Sequence, residues 1–170
     1  MILKRTAAVT LGWLWCAALL CGTGEVEAEG GSATRLTSEA IQKALDTAVE
    51  KAREIRVPMG ISIVDIHGNL VGFIKMDGTF AHTNHTSFSK AYTSASVRRP
   101  THEMKIPPAI TGEIASVTGG KFTVLPGGFP LVIKGSVVGG IGVGGGNAEE
   151  DMAVAKAGAE ALRKGLRTED

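Results

Sequence analysis

Two histidines three residues apart, His82 and His85, have the residue type and the spacing for metal chemistry. On a helix, or on the turn that enters one, this spacing brings both imidazoles to one side. The surrounding stretch, 76–99, also contains three aromatic rings: Phe80, Phe88 and Tyr92. Haem iron takes a histidine as an axial ligand, and a porphyrin needs apolar walls. The pattern therefore predicts a haem or metal site with His82 and His85 as ligands and the rings as walls.

Two cations of the same stretch, Lys90 and Arg98, could meet the acidic groups of such a ligand. Each has an alternative role. Lys90 could form a structural salt bridge with a residue such as Asp77, and an arginine at a helix end is stabilised there without any ligand. Likewise, the two histidines could be polar residues at a helix start and the phenylalanines ordinary core residues. The residues alone leave these alternatives open.

The other histidines are weaker candidates for a site. His67 falls in a predicted hairpin turn, where a solvated side chain is expected. His102 could form an axial pair with Met104, but the two lie in a loop flanked by prolines and lack a covalent attachment motif.

A catalytic function finds little support in the residue pattern. No serine lies in a nucleophile elbow, so an enzyme would depend on Lys90, Asp77 or a histidine for acid–base chemistry. The glycine run 140–146 before a helix invites comparison with a phosphate-binding loop, but acidic residues at 149–151 occupy the turn where a phosphate would sit. Close packing of a strand against its neighbours is the expected role of this run.

Helices are predicted near both ends of the chain and in its middle. The first spans about 37–56, because Thr37 is a good N-cap, apolar residues recur every three or four positions, and Pro58 stops it. The central helix is predicted to begin near Asn84. Asn147 caps the last helix, with an acidic residue three positions further on.

Short β-branched runs lie between these helices. The runs on either side of 66–69 predict one hairpin, those on either side of 134–136 predict a second, and 121–125 could add a strand. This order is not an alternation of strand and helix. It predicts an α+β fold with an antiparallel sheet of about five strands and helices packed against it.

The first 28 residues have the pattern of a secretory signal peptide. Lys4 and Arg5 precede an apolar run over 7–21 that is too short to span a bilayer, and cleavage is expected after Ala28. The remaining chain divides into a flexible leader (29–35), one folded domain (36–166) and a polar tail (167–170). We therefore expect a periplasmic or secreted protein. Its net charge of +1 gives no electrostatic case for binding nucleic acid.

Short motifs spread over the chain resemble the GlcG/HbpS family of haem-binding-like proteins, which also forms the C-terminal domain of PduO-type proteins. The resemblance is carried by Val57-Pro58, Ile63-Val64-Asp65, Gly68-Asn69-Leu70, Met76-Asp77-Gly78, Lys90-Ala91, Thr93, Arg99-Pro100-Thr101, Leu125-Pro126-Gly127-Gly128, Pro130 and 139–146. It implies the α+β fold, assembly from dimers to octamers, haem binding in some members, and exported members that work beside membrane sensors. Because the haem ligands vary within the family, the resemblance assigns none here.

The residues and the resemblance together predict an exported, homo-oligomeric protein that binds haem or a similar flat cofactor. The predicted site comprises Phe80, His82, His85, Phe88, Lys90, Tyr92 and Arg98, with the two histidines as metal ligands. One alternative is an accessory or assembly protein that acts through protein–protein contacts, for instance with a membrane sensor, and needs no cofactor. A second alternative is an enzyme of small-molecule metabolism, although the residues favour a non-enzymatic role.

Overall fold

A four-stranded antiparallel sheet, in the order β2-β1-β4-β3, forms the middle of the protein. The computed structural model describes residues 35–165, and the side chains as far as residue 163. The elements in chain order are α1 (Ser38–Glu54), β1 (Gly60–Asp65), β2 (Leu70–Lys75), α2 (Thr83–Val97), a 3-10 turn (Thr101–Glu103), α3 (Pro108–Val117), β3 (Gly128–Ile133), β4 (Ser136–Gly144) and α4 (Ala148–Gly165). The predicted signal peptide and polar tail, and most of the predicted leader, lie outside the described residues.

Helices cover both faces of the sheet. α1 and α4 pack together on one face, and α2 packs on the other, mainly across β4 and β1. The larger apolar core lies beneath α1 and α4, with fully buried side chains such as Met59, Ile61, Leu131 and Ile141. The α+β prediction is therefore confirmed. Within residues 35–165, no helix is long and apolar enough to cross a membrane.

The sheet has four strands where about five were predicted, because residues 121–125 form no strand. Side chains, and not a neighbouring strand, provide hydrogen-bond partners for the backbone of this segment. The Thr123 N–H donates to Thr93 Oγ1 at 2.9 Å, and the Leu125 carbonyl accepts from Thr101 Oγ1 at 2.7 Å. These bonds hold the segment against α2 and the 3-10 turn.

The ends of the helices follow the predicted caps closely. Thr37 Oγ1 accepts from the Ala40 N–H at 3.2 Å and starts α1, which ends two residues before the predicted limit. Asn147 Oδ1 accepts from two N–H groups of the first turn of α4, and Glu150 reaches back to the Asn147 N–H at 2.8 Å. α2 starts at Thr83, one residue before the predicted start.

One face of β4 carries only glycine opposite α2, at Gly140, Gly142 and Gly144. A Cβ on Gly140 would collide with the Ala91 carbonyl, and one on Gly142 with the Ser87 carbonyl. The helix backbone therefore rests directly on the strand. The prediction that the glycine run serves close packing is confirmed, although its neighbour on this face is a helix.

Candidate functional site

A cleft of about 350 Å³ opens beside the N-terminus of α2. This volume lies at the lower end of the range of about 300–1,000 Å³ for small-molecule sites. The segment before α2, α2 itself, the loop before β3 and the turn between β4 and α4 all contribute to its walls. The lining residues are Phe80, His82, Thr86, Lys90, Leu125, Pro126, Gly144, Gly145, Gly146, Ala148 and Asp151.

His82 and Phe80 form the aromatic side of the cleft. His82 is the residue just before α2, and its carbonyl accepts from the N–H groups of His85 and Thr86, each at 3.0 Å. The imidazole makes no capping hydrogen bond. It stacks instead on Phe80, with 5.6 Å between ring centroids and 14° between ring planes. Because Phe80 is 63% exposed, the pair offers an accessible apolar ring beside an imidazole that can ligate a metal.

The inner end of the cleft is a buried ion pair between α2 and α4. Lys90 Nζ donates to Asp151 Oδ2 at 2.6 Å and to the Val143 carbonyl at 2.7 Å. Asp151 Oδ1 accepts from the Gly146 N–H at 3.0 Å. Burial raises the pKa of the Asp151 carboxyl, and the hydrogen bond and charge of Lys90 oppose that rise.

Lys90 therefore has the structural salt bridge that was one of its two predicted roles, but the proposed partner, Asp77, was wrong. Asp77 is exposed in the turn after β2, whereas Asp151 lies in the first turn of α4 and is buried beside Lys90. The two acceptors of Lys90 take two of the three N–H donors of the ammonium group, and its charge is already paired with Asp151.

The remaining predicted site residues do not line this cleft. His85 is exposed, one turn further along α2. Phe88 packs on the small cluster that α2 buries against β1, and Tyr92 lies 6.2 Å from Phe88 between ring centroids. Arg98 ends α2 in a left-handed conformation, with φ of 57°. The structure thus brings together Phe80, His82 and Lys90 of the predicted set and places the other four elsewhere.

The donor set of the cleft suits a metal complex better than a bare ion. Among the residues that the structure describes, no group of three or more His, Cys, Asp and Glu side chains could hold a metal ion. A single imidazole beside an exposed ring fits haem, because the porphyrin supplies four iron ligands and the protein needs to add only an axial one.

Sequence reasoning missed Asp151, Thr86 and the glycine turn after β4. The sequence did contain one signal that could have identified Thr86. His82, Thr86 and Lys90 recur every four residues and therefore share one side of the chain entering and forming α2, whereas His85 lies off that line. Asp151 gave no such signal, because it reaches Lys90 only through the fold.

Comparisons with known proteins agree with this fold. A family model described as "Haem degrading protein HbpS-like" matches residues 36–160. The chain belongs to this family. The resemblance inferred from the sequence is thereby confirmed.

The chain is also similar to part of a longer protein. The corrinoid adenosyltransferase PduO of Salmonella typhimurium is 32% identical over 121 residues, which are 69% of this chain and 36% of PduO. This chain therefore spans about a third of that enzyme.

Two solved structures share the fold closely. The PduOC–haem complex has a TM-score of 0.69 and 30% identity, over 75% of this chain and 94% of that one. HbpS has a TM-score of 0.69 and 33% identity, over 81% of this chain and 99% of that one.

Proposed function

We propose that this protein binds haem in the cleft beside α2, where His82 would hold the iron and Phe80 would contact the ring system. The observation that carries the proposal is the His82–Phe80 stack at the edge of the cleft. Support comes also from the related PduOC structure, which is a complex with haem. When bound, haem would supply an iron centre able to change redox state.

The contribution of the protein is to hold and orient that ligand. His82 sits at the start of a helix whose backbone rests on β4, so the fold sets its backbone position. Thr86 lines the same cleft one turn further along α2. His85, exposed nearby, is the second candidate ligand, while Phe88, Tyr92 and Arg98 are left out of the proposed site.

The proposal extends to where the protein works. From the pattern of residues 1–28, we infer that it is exported to the periplasm or secreted, and from the family resemblance that it associates with copies of itself. A membrane sensor is a further possible partner. Fractionation of producing cells and N-terminal sequencing of the exported protein test export; a mature chain beginning near residue 29 is expected, and a full-length chain in the cytoplasm would contradict it.

Titration with haemin tests the site. We expect the wild-type protein to shift the Soret band, the His82→Ala variant to lose that shift, and the Phe80→Ala variant to bind about fivefold more weakly, since a stacked ring contributes about 1 kcal/mol. His67→Ala is the matched control, because His67 is also exposed but lies in the hairpin turn between β1 and β2. It should bind like the wild type.

Two results would reject the assignment. If His82→Ala and His85→Ala, singly and together, leave the haemin spectrum unchanged, neither imidazole is the ligand. If the wild-type protein leaves the spectrum of haemin unchanged at micromolar concentrations, the accessory role without a cofactor replaces haem binding. Cobalamin, titrated in parallel, distinguishes a haem site from a corrinoid site.

Haem degradation is a second candidate function, favoured by the description of the family. Haemin incubated with the protein, oxygen and ascorbate should then lose its Soret band faster than haemin with the His82→Ala variant. Equal rates of loss would argue against an enzymatic role.

A further inference from the structure

The helix α3 has an apolar surface that nothing in the described protein covers. None of its ten side chains is buried; Ile110 is 53% exposed and Val117 is 82% exposed. Within residues 35–165, it makes no substantial contact with any other helix or strand. Helices shorter than about 12–15 residues are marginal in water on their own. A partner that covers α3 would therefore stabilise it.

Three apolar residues of α3 lie along one line, of which the first and last are exposed and the middle one is half-buried. Ile110, Ile114 and Val117 follow the spacing i, i+4, i+7 and form the surface that we call the α3 stripe. Glu113 is the one charged residue in the sequence of α3, and it lies beside the stripe. An acceptor surface for the stripe should therefore be apolar with a cation at its edge.

Such a surface exists between β3 and α4, two elements that follow α3 in the chain. A groove of about 290 Å³ runs there along the outer edge of the sheet and is lined by five apolar residues, Pro100, Phe129, Pro130, Val132 and Ala159. We call it the β3–α4 groove. Because Pro130 has no N–H to donate, this edge is poorly suited to receive an added strand. A helix that packs through its side chains suits it better.

Charges at the edge of the groove complement Glu113. Lys156, Glu160 and Arg163 line it. Arg163 lies 3.9 Å from Glu160, whereas Lys156 is exposed and has no ion pair among the residues that the structure describes. Lys156 is therefore the cation that an incoming carboxylate would meet.

We propose that the α3 stripe of one copy packs into the β3–α4 groove of a second copy, with Glu113 beside Lys156. This inference rests on the self-association in the proposed function and assigns a surface to it. Reciprocal packing across a two-fold axis uses each surface once per subunit and closes the assembly as a dimer. It also covers the most exposed apolar side chain of α3, Val117.

Native mass spectrometry and light scattering test the surface. A charge introduced at Val117 would be buried in the interface, so Val117→Asp should weaken self-association about tenfold or more. Ser116→Asp is the matched control, because Ser116 is exposed on α3 but points away from the stripe. It should associate like the wild type. Both positions are exposed, so circular dichroism should show both variants folded.

A charge exchange tests the pairing itself. Glu113→Lys and Lys156→Glu should each weaken self-association, and the double variant should restore it, because the opposite charges then face each other again. An oligomer unaffected by Val117→Asp and by both charge reversals would overturn this surface while leaving self-association intact. A wild-type protein that stays monomeric would overturn both. Haemin titration of each variant reports separately on the cleft.

Discussion

Replacing Lys90 by Met tests whether the ion pair at the inner end of the cleft is as buried as the structure shows. The side chains of Lys90 and Asp151 are only 5% and 6% exposed. Without the ammonium group, the Asp151 carboxylate stays buried with no cation, and breaking such a pair from one side costs about 3–5 kcal/mol. For a domain of this size each kcal/mol lowers Tm by about 3 °C. We therefore expect Lys90→Met to lower Tm by about 9–15 °C.

Replacing both partners together should cost far less. In Lys90→Met combined with Asp151→Leu, no charge is left buried, and apolar replacements of buried pairs are often neutral. Urea unfolding followed by circular dichroism measures the free energy of unfolding for each single variant and for the double variant. The single variants should be clearly less stable than the double variant, which should lie close to the wild type.

The pH dependence of Lys90→Met has a definite sign. Burial raises the pKa of Asp151 in the folded state, and loss of Lys90 removes an interaction that opposes the rise. The folded carboxyl then binds its proton more tightly than the unfolded one, so its favourable contribution is complete below the unfolded pKa and is lost as pH rises through the folded pKa. Lys90→Met should therefore regain stability when the pH is lowered from 7 to 5.

A second lysine serves as the control. Lys51 pairs with Glu54 at 2.8 Å, but their side chains are 32% and 68% exposed, so Lys51→Met should cost less than about 1 kcal/mol. The reasoning is refuted if Lys90→Met costs no more than Lys51→Met at pH 7. It is also refuted if the double variant with Asp151→Leu is as unstable as Lys90→Met alone.

Three further predictions concern the fold and are measured by urea or thermal unfolding. Gly142→Ala should cost about 3 kcal/mol or more, because its Cβ would collide with the backbone of α2, whereas Gly112→Ala, with open space around it in α3, should stabilise by about 0.5–1 kcal/mol; equal effects would contradict the close packing of α2. Asn147→Ala should cost about 1 kcal/mol through the lost cap of α4, and an unchanged stability would argue against the cap. Although burial works to raise it, the pKa of Asp65 is lowered by hydrogen bonds from Asn69 and from the His67 N–H. The contribution of Asp65 to stability is therefore present above the unfolded pKa and is lost as pH falls through the folded pKa. Asn69→Ala should reduce this acid sensitivity, and an identical pH profile would contradict it.

The elements of the fold were largely predictable because they depend on local patterns. The spacing of apolar residues identified α1, and capping residues placed the starts of α1 and α4 within a residue. Strand 121–125 was predicted wrongly, since β-branched composition cannot reveal that side chains of Thr93 and Thr101 would take the hydrogen bonds of this segment.

The cleft was predictable only where its residues are close in sequence. His82 and Phe80 lie two positions apart, and both were expected in the site. The partner of Lys90 lies 61 residues further along the chain. The Asp151 side chain comes close to Lys90 only after α4 has packed against the sheet. No periodicity in the sequence indicates that these two residues meet.

The glycine face of β4 has a consequence for ligand exchange. With no side chains between strand and helix at Gly140 and Gly142, the backbone of α2 packs directly on the backbone of β4. The backbone at the start of that helix is thus in position before any ligand arrives, so binding would have to order only the exposed side chains of His82 and Phe80. Entry and release must then depend on the side that carries the exposed Phe80, outside the rigid contact between helix and strand.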